Sequence, residues 1–188
     1  MYRCPARMER KLLFFKNERK LRPGDSRLVS SIVSDIMGRS KVSVRIASSH
    51  VEVSIESKTI DPSKLGKLER LIGRLIEERV PGSESETTLS GAISMYRRYM
   101  ESERFWEAHE ILESVWRRNR DRGLQALILY AAALAKAQEG ILDGVLRILE
   151  RIRARGETSI VNIDCARTQA LRILEGKRAD PVKCLSIT

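Results

Sequence analysis

The chain has 188 residues, a formal net charge of +10 and 42% hydrophobic residues. That hydrophobic content is enough for an ordinary core, so a globally disordered chain is excluded. The longest apolar run, residues 126–135, is ten residues long, far short of the ~20 that a membrane span requires. The first residues also lack the apolar core of a signal peptide. We therefore expect a cytoplasmic globular protein of one or two domains.

The positive charge is unevenly distributed. Residues 1–82 contain 18 Lys and Arg against 10 Asp and Glu, whereas residues 83–188 contain 17 against 15. A basic segment attached to a nearly neutral one is typical of a protein with an acidic partner, either nucleic acid or an acidic protein. The plainer explanation is solubility. With only three Asn and three Gln, the composition also resembles that of a protein from a hot environment.

The basic residues near the start of the chain are the candidates for contacting an anion. They are Arg3, Arg7, Arg10, Lys11, Lys16, Arg19, Lys20 and Arg22. Contacts from such residues to phosphates give binding that depends on salt and has little sequence specificity. Residues 41–56 contain no aromatic side chain, which argues against stacking of bases on a sheet.

The first half of the chain predicts a small α+β domain over residues 1–82. A basic arm over residues 1–10 precedes a strand at 11–15, and a helix with apolar residues at helical spacing follows Pro23-Gly24 and ends at Gly38. Residues 42–46 and 51–55 alternate apolar and polar residues, which predicts a hairpin. Asp61-Pro62 then begins a second helix, whose apolar stripe runs to Leu75 and Ile76. The predicted order is β-α-β-β-α, a three-stranded sheet that could be a trimmed ferredoxin-like unit.

Residues 80–88 lose periodicity and gain Pro, Gly and Ser, which predicts a domain boundary. The rest, 83–188, predicts an all-α bundle of about five helices. Their approximate spans are 90–100, 103–118, 124–139, 143–155 and 164–176. The predicted fold is thus a two-domain α+β architecture.

The three cysteines, Cys4, Cys165 and Cys184, are scattered and show no Cys-x-x-Cys spacing. A disulfide framework and a zinc ribbon are therefore not expected, and we predict free or buried thiols.

One stretch, residues 104–116, carries the most informative polar pair. On a helix, His109 falls on the same arc as Phe105 and Leu112, and Glu113 lies one turn further on. Glu110 lies just outside this arc, and Glu107 points away from it. The helix that buries this arc is expected to carry His109 into the core. Because a buried polar group is costly unless it is paired, we expect Glu113 to be its partner.

Three interpretations of this pair remain open. Glu113 could hold the imidazole by a structural hydrogen bond, or orient it for general acid/base work. It could also share a metal, with Glu110 as a further candidate. A metal site needs three or four ligands, and residues 83–188 contain no second histidine, so we assign no metal. Trp106, Lys136 and Tyr130 are the candidates for lining a ligand groove nearby.

The sequence Phe105-Trp106-Glu107-Ala108-His109-Glu110-Ile111-Leu112-Glu113, followed by Trp116 and an Ala-rich helix from Gly123-Leu124, resembles the family called domain of unknown function 309. The resemblance covers about residues 90–155. It implies a small all-α domain and no particular activity. The family often has a second histidine late in the Ala-rich helix, where this chain has Lys136.

These features favour a non-enzymatic binding protein. Its helical groove near Trp106, His109 and Glu113 would accept a peptide or polar ligand, and its basic N-terminal domain would hold the acidic partner. The alternative is a hydrolase-like enzyme that uses His109 and Glu113 as an acid/base or metal site. No Gly-rich phosphate loop or nucleophile elbow is present. No cofactor is required by the sequence, and a dimer is compatible with it.

Overall fold

The computed structural model describes residues 10–38, 40–57, 59–81 and 88–186. It contains four β-strands and seven α-helices within these residues. In chain order they are β1 Arg10–Lys16, α1 Ser26–Met37, β2 Val42–Ile46, β3 His50–Glu56, α2 Pro62–Ile72, β4 Leu75–Arg79, α3 Leu89–Glu101, α4 Phe105–Asn119, α5 Arg122–Gln138, α6 Leu142–Ala154 and α7 Ile163–Leu174. The α+β class is therefore confirmed, with two helices beside the sheet and five after residue 88.

Two predicted features fall largely outside the described residues. The basic arm over residues 1–10 is described only from Arg10 onward, and the predicted boundary at 80–88 is mostly undescribed. The division into two domains at this boundary stays a prediction. We refer to residues 10–79 as the sheet unit and to residues 88–186 as the helical unit.

The sheet has four antiparallel strands in the order β2-β3-β1-β4. The prediction of three strands was wrong, because residues 75 and 76 belong to β4 and not to the second helix. Helix α2 ends at Gly73, whose φ of +140° turns the chain out of the helix. The resulting β-α-β-β-α-β order, with β3 between β1 and β2, is that of a complete ferredoxin-like unit.

The two faces of the sheet have different partners. Alternate strand residues, including Leu13, Phe15 and Val53, pack against Val33 of α1 and Leu68 of α2 in one apolar core. This arrangement buries one face of the sheet beneath two amphipathic helices. The residues between them on the strands face the other way, toward the helical unit.

The helical unit has its own apolar core around α5. This helix is apolar on nearly all sides, and Ala131, Ala133 and Leu134 are completely buried. Helix bounds agree with the predicted spans to within about two residues. The Asn162 side chain accepts the hydrogen bond that begins α7, and α4 begins after Arg104 without a side-chain cap.

A disulfide joins Cys165 to Cys184, with 5.4 Å between their Cα atoms. The prediction of free thiols was wrong for these two residues, because the chain after α7 turns back and places Cys184 beside the start of that helix. Nothing in the spacing of 19 residues could indicate this return. Cys4 lies outside the described residues.

Within the described residues, no helix combines the length and the hydropathy needed to cross a membrane.

Candidate functional site

Helix α4 lies against the sheet face that α1 and α2 leave open. Guanidinium groups from two strands cover its Trp106, with Arg45 of β2 at 4.4 Å and Arg10 of β1 at 5.1 Å from the ring centroid. Such cation–π contacts are favourable and become stronger when they are shielded from water. The sheet unit therefore covers Trp106, and any groove at this residue is not formed by the helical unit alone.

Arg45 is the most deeply buried cation in this contact. Its Nη1 lies 2.5 Å from the carboxylate of Glu52, the residue opposite it in the hairpin, and its Nε lies 3.2 Å from Glu139 at the end of α5. Lys136 pairs with the other oxygen of Glu139 at 2.5 Å. This ion-pair network thus connects β2 and β3 to α5. Lys136, a candidate for lining the groove, joins this network through Glu139.

Glu107 forms a second link between the two units. Its carboxylate lies 2.5 Å from Arg79 Nη1 of β4 and also bonds Arg104, which in turn pairs with Glu77 at 3.0 Å. Burial raises the pKa of Glu107 to about 7, although both arginines act to lower it. A residue predicted to point away from the core is therefore buried, because the sheet covers the outer side of α4.

His109 lies beside Trp106, with the rings stacked at 5.0 Å and 12°. Its Nδ1 is 3.9 Å from the Glu113 carboxylate, which is too long for a hydrogen bond, and Glu113 instead bonds Arg117 at 3.0 Å. Burial lowers the pKa of His109, so the imidazole is neutral at neutral pH. Hence Glu113 does not hold the ring by a hydrogen bond, and an acid/base role of the pair stays a hypothesis.

The other predicted site residues lie in different surroundings. Glu110 accepts a hydrogen bond from Arg10 at 2.8 Å, and burial raises its pKa. Tyr130 is completely buried in the helical unit and donates to the Pro181 carbonyl at 3.1 Å. The structure therefore brings Trp106, His109 and Glu110 to the contact between the units, whereas Tyr130 is enclosed elsewhere.

A cleft of about 480 Å³ lies between the sheet unit and the helical unit. Its walls come from the strand ends, the turn before β3, the turn between α3 and α4, and the segment after α7. Its lining includes Lys16, His50, Glu103, Arg104 and Arg178. Burial lowers the pKa of His50 to about 4, so this ring is also neutral. This cleft could not be predicted from the sequence, because each wall comes from a different part of the chain.

The eight basic candidates separate into three groups. Arg3 and Arg7 lie outside the described residues. Arg10 and Lys11 are in β1 and pair with Glu110 and Glu78, at 2.8 and 2.6 Å. The remaining four are exposed and belong to the end of β1 and the loop that follows: Lys16, Arg19, Lys20 and Arg22.

These four residues are part of a larger surface built from three segments, residues 16–22, 69–74 and 172–178, which we call the basic surface. Arg19 donates to the carbonyl of Arg70 at 3.0 Å, and the Arg22 side chain packs against Gly176. Lys16 and Arg178 line the same cleft. The three segments therefore form one continuous region beside the cleft.

The charge of the basic surface is strongly positive. Its 20 residues contain nine Lys and Arg against three Glu, a net charge of +6 out of +10 for the chain. All nine cationic residues are exposed. They are Lys16, Arg19, Lys20, Arg22, Arg70, Arg74, Arg172, Lys177 and Arg178. Four of these residues were among the candidates predicted from the sequence. The other five were not predicted, because they come from distant segments of the chain.

No group of three or more His, Cys, Asp or Glu side chains in the described part of the chain is placed to hold a metal ion.

Helix α4, which carries Trp106 and His109, lies in the part of the chain that is similar to a known family. Residues 93–148 match the family described as Domain of unknown function (DUF309). The resemblance carried by the Glu-Ala-His-Glu stretch is thereby confirmed over the DUF309 segment, which runs from α3 into α6. No curated protein and no solved structure matches the chain.

Within the DUF309 segment, side chains of α4, of the turn before it and of the end of α5 contact the sheet unit, which lies outside the match. Arg45 and Glu52 could have been paired from the predicted hairpin register, since both occupy its polar face. Their burial could not have been predicted, because the partner helix is more than 50 residues further along the chain.

Proposed function

We propose that this protein is a non-catalytic binding protein for nucleic acid, which it holds by its phosphates along the basic surface. The observation that carries the proposal is the grouping of nine exposed cations, from three separate segments, on one region beside a cleft. Phosphate contacts of this kind supply the sequence-independent part of nucleic-acid affinity.

The composition of the basic surface favours nucleic acid over an acidic protein. Protein partners are usually anchored by buried aromatic or large apolar side chains. The three segments contain no Phe, Tyr or Trp, and the exposed large hydrophobic residues lie outside them. A surface of separated cations without an apolar anchor suits phosphate groups that repeat along a chain.

The covering of the sheet supports the same mode of binding. RNA-recognition modules of this topology stack bases on aromatic side chains of the open sheet face. Here Phe14 on that face is 3% exposed, and the Arg104 guanidinium lies 4.0 Å from its ring centroid. Phe14 is therefore not accessible for base stacking, and we expect the protein to contact phosphates with little sequence preference.

The proposal is tested by reversing charge on and off the basic surface. The variant Arg19→Glu/Lys20→Glu changes two exposed residues of the surface, and Arg147→Glu/Arg151→Glu makes the same change in charge on exposed positions of α6. Binding of a 20-nucleotide RNA and a 20-base-pair DNA duplex is measured by fluorescence anisotropy. We expect the first variant to lose at least tenfold in affinity and the second to lose less than threefold.

Two results would contradict the proposal. Equal losses in both variants would show that net charge alone is responsible. Binding of an acidic polypeptide, such as polyglutamate, with no binding of either nucleic acid would point to a protein partner instead.

A further inference from the structure

The segment after α7, residues 175–186, contributes Arg178 to one side of the cleft, and we call it the strap. At its far end the disulfide from Cys184 to Cys165 ties it to the first turn of α7. Cys184 is 1% exposed, whereas Cys165 is half-buried and is the more accessible of the two. The strap is thus a return segment held covalently at its end.

Several hydrogen bonds fix the strap to the rest of the helical unit, among them one from the Ser186 amide to the carbonyl of Ile160 at 3.0 Å. Tyr130 donates to the carbonyl of Pro181 at 3.1 Å, and Gln169 accepts from the Asp180 amide at 2.8 Å. The Asn162 amide donates to the carbonyl of Cys184 at 2.9 Å. Residues 175–178 of the strap are exposed, whereas Ala179 and Cys184 are buried in the helical core and Val182 and Leu185 pack against it. The part of the strap next to the cleft therefore depends on hydrogen bonds and on the disulfide that anchors its end. Segments with few buried apolar contacts are the ones that open locally at low free-energy cost.

The strap is also bonded to the residue that connects the two units across the cleft. Glu103 is 4% exposed, and one of its carboxylate oxygens accepts from the amide of Ala179 at 3.2 Å. The other oxygen accepts from the amide and the hydroxyl of Ser48, in the turn before β3. Glu103 therefore links the strap to the sheet unit, and Arg178 next to Ala179 lines the cleft.

We propose that the Cys165–Cys184 disulfide is a redox switch: its reduction by a dithiol releases the strap and opens the cleft. Release also removes Lys177 and Arg178 from the basic surface, which weakens nucleic-acid binding; this last step rests on the function proposed above. The reduced, cytosol-like state is then the weaker binder.

The exchange is balanced in atoms and electrons. A thiolate of the dithiol attacks the more accessible sulfur of Cys165 and forms a mixed disulfide, while the Cys184 sulfur leaves and takes a proton from solvent. The second thiol of the reductant then attacks its own sulfur in the mixed disulfide and expels the Cys165 thiolate, which is protonated in turn. The dithiol loses two electrons and becomes a cyclic disulfide, and the protein disulfide gains these electrons and becomes two thiols.

The test is amide hydrogen exchange followed by mass spectrometry, in a Cys4→Ser background so that no third thiol can exchange. Oxidised protein, dithiothreitol-reduced protein and the Cys165→Ser/Cys184→Ser variant are compared. We expect exchange in peptides covering residues 175–186 to be at least tenfold faster in the last two, while peptides of α5 stay equally protected. Unchanged strap protection on reduction overturns the proposal. Equal loss of protection in α5 also overturns it, because the disulfide would then hold the whole helical unit and not the strap.

A second measurement separates the switch from the proposed function. The affinity for the 20-nucleotide RNA is compared in oxidised and reduced protein, with the Lys177→Ala/Arg178→Ala variant as a control that keeps the disulfide. We expect reduction to weaken binding severalfold and to change the control much less. If oxidised protein binds no nucleic acid, the proposed function fails, and hydrogen exchange still decides the switch. If exchange responds to reduction but affinity does not, the link between strap and binding is wrong.

Discussion

At the scale of single residues, buried charges hold the sheet unit against α4. The side chains of Arg45 and Glu52 are 5% and 2% exposed. Removing one member of such a pair leaves an uncompensated buried charge, which costs far more than the pair itself contributes. Surface ion pairs such as Arg153 with Glu150 lack this asymmetry, because water solvates the partner that remains.

The first prediction follows from this burial. We expect Arg45→Met to lower the free energy of unfolding by about 3–5 kcal/mol, because Glu52 loses its buried partner and Glu139 keeps only Lys136. The matched control is Arg153→Met, which breaks an exposed ion pair and should cost roughly 0.5 kcal/mol or less. Urea unfolding measures both variants. Similar, small losses in the two would show that Arg45 is not needed to neutralise Glu52.

Glu107 predicts a pH dependence. Its pKa is raised from 4.5 to about 7 in the folded protein, so the folded state binds a proton that the unfolded state has lost between these pH values. This contribution to stability is complete below pH 4.5 and is lost as pH rises through 7, on the order of 3 kcal/mol at most.

The measurement is the difference in unfolding free energy between the natural protein and Glu107→Gln from pH 4 to pH 9. We expect the natural protein to lose stability relative to the variant as pH rises. A difference that is constant with pH would mean that Glu107 keeps its ordinary pKa and that the two arginines outweigh its burial.

His109 predicts a pH dependence of stability opposite in sign to that of Glu107. Burial lowers its pKa, so neutral His109 contributes stability that is present above the unfolded pKa of about 6.5 and is lost as pH falls below it. Since Nδ1 is enclosed without a hydrogen-bond partner, His109→Phe should change the free energy of unfolding by less than about 1 kcal/mol at pH 8. Below pH 6 the free energy of unfolding of the variant should rise relative to that of the natural protein. A loss at pH 8 beyond about 2 kcal/mol would show that the imidazole makes a polar contact that matters.

At the scale of elements, the turn between α2 and β4 decides whether the sheet has three strands or four. A Cβ atom at position 73 would lie 2.2 Å from the carbonyl oxygen of Lys16, and the backbone there has a φ of +140°. Only glycine permits this close approach of two backbones. The apolar residues that follow therefore enter the sheet beside β1 instead of continuing the helix.

This close approach predicts the effect of adding a methyl group. Gly73→Ala should cost about 3 kcal/mol or more, because it combines an unfavourable φ with a backbone overlap. Gly156→Ala is the control: its φ is +72°, but a Cβ there would meet nothing within 4 Å, so only about 1 kcal/mol should be lost. Thermal unfolding of both variants provides the measurement. Equal effects would mean that φ alone matters and that β1 does not crowd position 73.

The elements that could be predicted are those whose signal is local. Alternation in the hairpin, the Asp61-Pro62 helix start and the Glu-Ala-His-Glu helix all lie within a few residues, and each forms the expected structure. Strand β4 was missed because Leu75 and Ile76 extend an apolar stripe without changing its period. Glu107 was assigned to the solvent side because its partners, Arg79 and Arg104, come from outside the helix.

At the scale of the whole molecule, the arrangement of the two units determines which surfaces remain for a partner. Helix α4 occupies the sheet face where a ferredoxin-like unit could otherwise receive a ligand. The nine exposed cations of the basic surface lie together near the end of β1, beside the cleft. The sequence indicated a basic N-terminal half, but it could not indicate that α7 and the strap would complete the basic surface.

The salt dependence of nucleic-acid binding tests this account most directly. The affinity for a 20-base-pair DNA duplex is measured between 50 and 300 mM KCl. If the basic surface neutralises about four to six phosphates, the logarithm of the association constant should fall against the logarithm of salt concentration with a slope of about −4 to −5. The Arg19→Glu/Lys20→Glu variant should have a slope that is less negative by about 2. A slope near zero, or the same slope in both proteins, would contradict the proposal that this surface binds phosphates.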